Sequence, residues 1–201
     1  MVYALLAVIS TASAVMAQQA STDPKQAPTG RYALETRHSQ VLFAISHLGL
    51  TEYNGRFDRL SGSLNFDAAQ PEKSAVSITI DMDSISTPSQ ALNLELKAVK
   101  TFDTQNFPSA TFVSTSVMRT GATTGKITGD LTIKKVTRPV TLDVTFNGGS
   151  LDAMSDAYAI GFHATVTIKR SDFHLTDMLW SPYVGDDVKL TIEAPFQLQK
   201  G

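Results

Sequence analysis

The chain has 201 residues, of which 42% are hydrophobic and 18% charged, and its formal net charge at pH 7 is -2. This composition is typical of one globular domain with a targeting segment. It excludes a disordered chain, and it lacks the basic surface of a nucleic-acid-binding protein. The sequence contains no cysteine, which excludes disulfides, thiolate catalysis and zinc–thiolate sites.

The N-terminus predicts export. The side chains of residues 1–17 carry no charge and are mainly small or apolar, and Val15 and Ala17 occupy the small-residue positions that precede a cleavage point. We expect a signal peptide cut after Ala17, although no Lys or Arg precedes the apolar run. A transmembrane anchor is less favoured, because a span needs roughly 20 apolar residues. Residues 18–30 are polar and predict a flexible lead-in to one domain over residues 31–200.

A hydrophobic pattern of period two runs through most of the chain beyond residue 30, and this pattern is typical of β-strands. Clear alternation covers five segments: 41–46, 76–81, 140–146, 160–169 and 188–193. Further strand candidates lie near 31–36, 54–59, 61–67, 109–118 and 125–134. Each clear strand has one apolar and one polar face, which antiparallel sheets allow and parallel sheets seldom do.

Turn residues separate these strands. The Asn-Gly-Gly sequence at 147–149 predicts a hairpin, Gly121 and Gly125 mark a second turn, and residues 68–71 end in a proline. We therefore expect eight to ten strands with short connections, in a sandwich or a closed barrel. A closed barrel has the advantage that it removes the exposed sheet edges.

One segment breaks the alternation. Thr87 is followed by a proline, as at a helix start, and Leu92, Leu96 and Val99 recur at helical spacing. We predict a short helix over residues 88–99 with Thr87 as its N-cap. A single amphipathic helix between strands can cover one end of a barrel, or fill its core, or do both.

The motifs reveal no catalytic or metal-binding set. The sequence contains no nucleophile elbow, no dinucleotide-binding fingerprint and no P-loop. His38 and His47 are separated by roughly 30 Å of extended strand, too far to share a metal ion by that route. His163 falls on a polar strand face, where we expect it to be solvated. Asp186 and Asp187 lie in a predicted turn, without the desolvation that general acid–base catalysis requires.

The apolar faces of the strands are what remains. Alternation turns these residues inward: Phe43, Ile45, Ile78, Ile80, Phe112, Leu131, Ile133, Leu142, Val144, Phe146, Phe162, Val166, Leu190 and Ile192. An eight-stranded barrel is either filled by its own side chains or holds one small ligand, and periodicity leaves both open. The cluster of Lys134, Lys135 and Arg138 fits a phosphate-bearing headgroup or, more simply, a solvated strand end.

The sequence resembles the YceI-like proteins over about residues 30–199. The matching pieces are His38-Ser39 with Val41, Phe43, Ile45 and His47; Gly55 with Phe57; Phe102-Asp103 with Phe107-Pro108, Ala110 and Phe112; Gly129-Asp130-Leu131-Thr132-Ile133 with Val136-Thr137-Arg138-Pro139-Val140; and Arg170-Ser171-Asp172-Phe173. Two positions depart, since Lys135 and His174 stand where the family usually has glycine. Glycine at such places often serves a bulge or a positive φ.

The resemblance implies an all-β fold, an antiparallel lipocalin-like β-barrel of about eight strands with one short inserted helix, exported to the periplasm. It also implies that the interior carries a polyisoprenoid lipid, such as an isoprenoid quinone or a polyprenyl phosphate, without changing it chemically. We expect no enzyme activity, metal, further cofactor or nucleic-acid partner; transient membrane contact and a homodimer are compatible with this function. The expected ligand-binding residues are Phe43, Ile45, His47, Phe57, Ile78, Ile80, Phe112, Leu131, Ile133, Leu142, Val144, Phe162, Val166 and Arg170.

Two other functions stay open at this point. One is a barrel enzyme that acts on a lipid headgroup, with His47, Arg170 and Asp172 as candidates, which requires polar groups that converge in a pocket. The other is a stress or surface interaction protein with a filled core, which requires the absence of a cavity.

Overall fold

The computed structural model describes residues 20–176 and 181–200, so the expected leader lies outside the described residues. Eleven strands form one antiparallel sheet: β1 (Gly30–Leu34), β2 (Gln40–His47), β3 (Thr51–Phe57), β4 (Leu60–Phe66), β5 (Ala75–Asp81), β6 (Ile85–Ser86), β7 (Ser109–Arg119), β8 (Thr124–Ile133), β9 (Val136–Asp152), β10 (Ala157–Lys169) and β11 (Val184–Leu198). The helix α1 spans Gln90–Lys97. Within the described ranges, no helix has the length and apolar character to cross a membrane.

The sheet closes into a barrel because β11 has two partners along one edge. It pairs with β2 over Val184–Glu193 and with β1 over Phe196–Leu198. The closed ring is β1-β4-β5-β7-β8-β9-β10-β11, and β2, β3 and β6 extend the same wall from β11. The predicted antiparallel barrel of about eight strands is therefore confirmed.

The alternating pattern places apolar side chains inside and polar ones outside. On the outer wall, Thr128 and Thr141 share a hydrogen bond of 2.9 Å across β8 and β9. His163 also lies outside, as expected, and its Nδ1 is 2.7 Å from Glu193 Oε1 on the adjacent strand. These cross-strand polar pairs fix the register, since a slip of one residue would exchange the two faces.

The hairpin predicted at residues 147–149 is wrong. These residues lie within β9, where the register with β10 shifts by one residue at Asn147. Gly148 has φ of +143°, a conformation that side-chain-bearing residues rarely adopt, and this allows a bulge without ending the strand. The chain reverses later, at residues 153–156.

The lead-in, predicted to be flexible, lies against the barrel from Ala20 onward. Ser21 forms a β-bridge with Gly149, with N–O distances of 2.9 and 2.8 Å. This part of β9 lies beyond Thr145, which pairs with the first residue of β8. Ala27 is buried, and the hydroxyl of the fully buried Tyr32 donates to the Pro28 carbonyl at 2.7 Å. Polar composition alone does not reveal pairing of this kind with a distant strand edge.

The inserted helix is confirmed, but it is shorter than predicted and has a different N-cap. Ser89 caps it, and its Oγ accepts from the Leu92 N–H at 3.3 Å. The Thr87 hydroxyl instead donates to Asn93 Oδ1 at 2.7 Å. Leu96 is buried, whereas Val99 lies beyond the helix and is exposed.

Of the two positions where the family usually has glycine, one has a positive φ in this chain. His174 has φ of +55° and ends a short 3₁₀ helix in the left-handed conformation. In the turn between β8 and β9, the positive φ of +55° belongs to Lys134 and not to Lys135.

Glu35 fastens the bend between β1 and β2. Its side chain is 11% exposed, and its two oxygens accept from the backbone N–H groups of Arg37 and His38, each at 3.0 Å. The side chains of Arg37 and His38 also contact it, at 3.1 and 2.6 Å. Burial on its own would raise the pKa of Glu35, but these hydrogen bonds outweigh it and lower the pKa from 4.5 to about 2.

We expect Glu35→Gln to destabilise the protein at pH 7 by up to about 3 kcal/mol, the free-energy equivalent of this pKa shift. Because the folded-state pKa is lowered, the contribution is complete above pH 4.5 and is lost as the pH falls towards 2. Urea unfolding across this range measures it. Glu193→Gln is the matched control, since it breaks a half-exposed His–Glu pair worth under about 1 kcal/mol. An equal loss for Glu35→Gln at pH 7 and pH 2 would contradict the explanation.

Candidate ligand-binding cavities

The barrel interior contains two cavities. The larger cavity has a volume of about 480 Å³, within the range of roughly 300–1,000 Å³ that is typical of ligand pockets. Its walls include Val41, Phe43, Ile45, Phe57, Ile80, Ile85, Leu92, Leu96, Phe102, Ala110, Leu131, Ile133, Ile168, Phe173, Leu175, Val188 and Leu190. The smaller cavity, of about 160 Å³, is lined by residues that include Leu64, Phe66, Val76, Ile78, Phe112, Ile127, Leu142, Val144, Phe146, Phe162, Ala164, Ile192, Ala194 and Phe196.

The two cavities lie end to end along the strands. In β11, Phe196 and Ile192 line the smaller cavity, and Leu190 and Val188 continue the same face into the larger one. From residue 196 to 188 the strand extends about 26 Å. The two cavities therefore lie along one axis with the smaller volume at one end, and we refer to them together as the channel.

Polar side chains lie at the outer ends of this channel. His47, Tyr53, Thr87, Thr101, Arg170 and Tyr183 belong to the lining of the larger cavity. Lys25, Ser74, Arg119, Thr123 and Thr124 belong to that of the smaller one. Both inner walls are almost wholly apolar, which favours a hydrocarbon ligand with any polar group near an end.

Two inward-facing glycines provide room for aromatic rings of the neighbouring strand. Phe43 pairs with Gly55 in register, and a Cβ at Gly55 would overlap the Phe43 ring. A Cβ at Gly129 would likewise overlap the ring of Phe112. The Gly55 and Phe57 pair that marks the family resemblance thus has a packing reason, since Phe57 also contacts Phe43 with a centroid distance of 6.0 Å.

The smaller cavity is bounded by a cluster of four aromatic rings. Phe162 lies 5.4 Å from Phe146, 6.1 Å from Phe196 and 6.4 Å from Phe66, measured between ring centroids. Phe66 and Phe146 stack with their planes 5° apart. Phe162 therefore has ring neighbours on several sides, whereas Phe43 faces the larger cavity.

Arg170, predicted to contact the ligand, is engaged with the chain itself. Its Nε donates to the Gly185 carbonyl at 2.9 Å, and its terminal nitrogens reach the carbonyls of Leu175, Ser181 and Val184 and the Ser181 hydroxyl at 2.8–3.5 Å. All five N–H groups thus have acceptors. Burial lowers the pKa of the guanidinium, and Asp186 opposes this only in part. Arg170 therefore has a structural role at the cavity rim, and its contact with a ligand stays a prediction.

Every predicted ligand-binding residue except Val166 lines one of the cavities. The larger cavity receives Phe43, Ile45, His47, Phe57, Ile80, Leu131, Ile133 and Arg170. The smaller receives Ile78, Phe112, Leu142, Val144 and Phe162. Val166 packs against the core, between Ala164 of the smaller cavity and Ile168 of the larger. Contact of these side chains with a ligand stays a prediction.

The structure does not bring together the three polar residues that the lipid-headgroup enzyme alternative requires. His47 and Arg170 border the larger cavity, but Asp172 is exposed and outside its lining. In the described ranges, no three His, Asp or Glu side chains cluster as metal ligands would. Of the basic cluster, the Lys134 Nζ donates to the Thr101 carbonyl at 2.9 Å.

Several lining residues escaped the sequence analysis. Three of them lie outside the strands, where no periodicity marks an inward position: Phe102, Phe173 in a short 3₁₀ helix, and Leu175. Phe196 continues the alternation of β11 beyond Pro195. The strand was predicted only to residue 193, because proline is unusual inside a strand. The pattern of alternate apolar residues 192–198 was the signal that could have found it.

Comparison with known proteins agrees with this architecture. A family profile for the YceI-like domain matches residues 32–196. The UPF0312 protein of Ectopseudomonas mendocina (strain ymp) is 35% identical over 170 residues, which are 84% of this chain and 88% of the relative.

Solved structures share the fold. BcnA of Burkholderia cenocepacia superimposes with a TM-score of 0.72 at 25% identity, over 81% of this chain and 98% of that one. The Campylobacter jejuni YCEI protein gives 0.68 at 29%, over 78% and 91%. A polyisoprenoid binding domain from Saccharophagus degradans gives 0.64 at 19%, over 84% and 98%, and shows the fold alone. From the profile match and the identity to its relative, the chain belongs to the YceI-like family.

Proposed function

We propose that this protein binds a long apolar lipid, a polyisoprenoid chain, inside the barrel and carries or stores it without chemical change. The observation that supports this most directly is the pair of apolar cavities lying end to end along one set of strands. A filled core, which the interaction-protein alternative requires, does not agree with a cavity of about 480 Å³. The structural neighbour that is a polyisoprenoid binding domain supports the same class of ligand.

The hydrophobic effect supplies enough free energy for such binding. Each buried CH₂-sized group contributes about 0.8 kcal/mol. Ten such groups give about 8 kcal/mol, against an association cost of at least about 4 kcal/mol. A short chain therefore binds weakly, whereas a chain that fills both cavities can bind tightly without any charged anchor.

A cleaved leader and a periplasmic location remain part of this proposal. They rest on the uncharged apolar residues 1–17 and the polar stretch that follows. The described lead-in begins at Ala20, three residues after the expected cleavage point.

The test is a comparison of ligands that differ only in chain length. We expect native mass spectrometry of the protein purified from its own host to show an apolar ligand of one mass class. In titrations of ligand-free protein, a long isoprenoid should bind at least a hundredfold more tightly than a five-carbon analogue with the same headgroup, because the short chain leaves most of the channel unfilled. Equal affinity for both would contradict the proposal.

A further inference from the structure

Large apolar side chains lie exposed around the outer end of the larger cavity. In the turn between β2 and β3, Leu48 and Leu50 are 54% and 80% exposed, and the nearby Tyr183 is 56% exposed. On and just after α1, Leu94 and Val99 are 66% and 68% exposed. The Leu48 N–H donates to the Tyr183 carbonyl at 2.8 Å, so the two meet at the cavity rim. Single exposed leucines are ordinary, but several around one opening indicate an interaction surface.

Lysines lie beside the same opening. Lys97 is the last residue of α1 and Lys100 lies three residues beyond it. Lys134 and Lys135 form the turn between β8 and β9. The Lys134 Nζ donates to the carbonyl of Thr101, a cavity-lining residue, which brings this turn next to the end of α1. In the described part of the chain, Lys100, Lys134 and Lys135 have no carboxylate partner.

The carboxylates near this end are partly engaged. Asp83 pairs with Lys97 at 3.2 Å, and Asp103 is buried with the Asn106 amide donating to it at 3.0 Å. Glu95 and Asp172 are exposed. On the Tyr183 side of the opening, Asp186 accepts hydrogen bonds from Ser171, and Asp187 and Glu52 pair with Lys169 and Lys189. The lysine side of the opening therefore presents positive charge beside apolar side chains, a combination that suits an anionic membrane surface.

The opposite end of the barrel offers a contrast. Leu151 and Met154, at the turn between β9 and β10, are 48% and 90% exposed. Their neighbours in sequence are Asp152 and Asp156, and Lys200 Nζ is 3.5 Å from the Asp156 carboxylate. This turn therefore has more acidic than basic side chains, which disfavours an anionic surface. The two ends thus share exposed apolar side chains and differ in the charges around them.

We propose that the outer end of the larger cavity docks on an anionic lipid bilayer, with Leu50 and Leu94 entering the headgroup region and the lysines meeting the lipid phosphates. The opening then faces the bilayer, so that an apolar chain passes between membrane and barrel without crossing water. The docking goes beyond the proposed function, because it depends on rim residues and not on the cavity contents.

The test uses the full mature chain and sedimentation with vesicles of phosphatidylcholine containing phosphatidylglycerol. The double variant Leu50→Ser/Leu94→Ser should bind at least tenfold more weakly, since two side chains no longer enter the lipid. The matched control Leu151→Ser/Met154→Ser should change binding less than twofold. Lys100→Glu/Lys135→Glu should weaken binding to these vesicles at least tenfold, and should not affect binding to pure phosphatidylcholine.

Native mass spectrometry of the same variants separates docking from lipid binding. Neither Leu50 nor Leu94 lines a cavity, so the double variant should retain its co-purifying lipid. Docking is overturned if the wild-type protein does not sediment with the vesicles. It is also overturned if Leu151→Ser/Met154→Ser loses as much vesicle binding as Leu50→Ser/Leu94→Ser. Light scattering tests whether a second copy of the chain covers this face instead. A wild-type dimer that does not bind vesicles, and that Leu50→Ser/Leu94→Ser converts to a monomer, would show that it does.

Discussion

Phe43→Asp should abolish lipid binding, with a loss of affinity of at least a hundredfold. Phe43 lies in the middle of β2, and its ring is part of the wall of the larger cavity. A carboxylate at this place would meet the side chains of Ile45 and Leu190, which offer it no hydrogen bond. Hydrocarbon cannot replace the water that solvates a charge, so an apolar ligand would be excluded.

The adjacent residue provides the control for this substitution. Leu42 points to the outer wall of the same strand, where it is 36% exposed and stands opposite Arg56 in the register. Leu42→Asp should therefore leave lipid binding unchanged. Circular dichroism tests whether both variants fold. If Phe43→Asp does not fold, Phe43→Ala takes its place in the binding experiment. Unchanged lipid retention by a folded Phe43→Asp variant would show that this ring does not bound the ligand site.

Alanine substitutions at Phe43 and Phe162 should differ in stability cost, because the two rings line different cavities and have different numbers of neighbours in the chain. Phe162→Ala removes the ring that contacts Phe66, Phe146 and Phe196, and we expect it to cost about 3–5 kcal/mol. Phe43→Ala removes a ring with an open cavity on one side and a glycine opposite it, and we expect a cost of about 1–2 kcal/mol in the ligand-free protein.

Chemical denaturation with and without bound lipid measures both effects. Saturating lipid should widen the gap between wild type and Phe43→Ala, because the lipid contacts the ring that the variant lacks. For Phe162→Ala the gap should widen less, because this ring also contacts three aromatic rings of the chain itself. Equal costs for the two variants in ligand-free protein would mean that both rings are ordinary core residues.

The strand alternation predicted antiparallel strands and most of the lining, because each strand has one polar and one apolar face. It left a sandwich and a closed barrel open, and the family resemblance favoured the barrel. Ile78 and Ile80 show the limit of that rule. Both point inward as predicted, yet they line different cavities. Periodicity reports the direction of a side chain and not the free volume in front of it, which depends on the rings contributed by other strands.

Errors arose where a residue's role depends on partners distant in sequence. Gly148 and Gly149 are typical of a turn, but here Gly149 pairs with Ser21 of the lead-in, and a Cβ at Gly148 would lie 3.0–3.1 Å from atoms of Ser21 and Ala20. Arg170 belongs to a sequence piece that marks the family resemblance, and its five acceptors in residues 175–185 give it a structural role that this piece does not reveal. Local composition cannot distinguish these alternatives, since each residue type fits both.

The pairing of β11 determines when the barrel can form. This final strand pairs with β10, β2 and β1, and so joins Tyr32 to Leu198 across nearly the whole chain. Contacts between residues so distant in sequence form slowly, because a long loop must close first. A chain that emerges with its N-terminus first stays an open sheet until its last residues follow. The barrel interior can therefore be enclosed only by the complete chain, after its last residues have been synthesised.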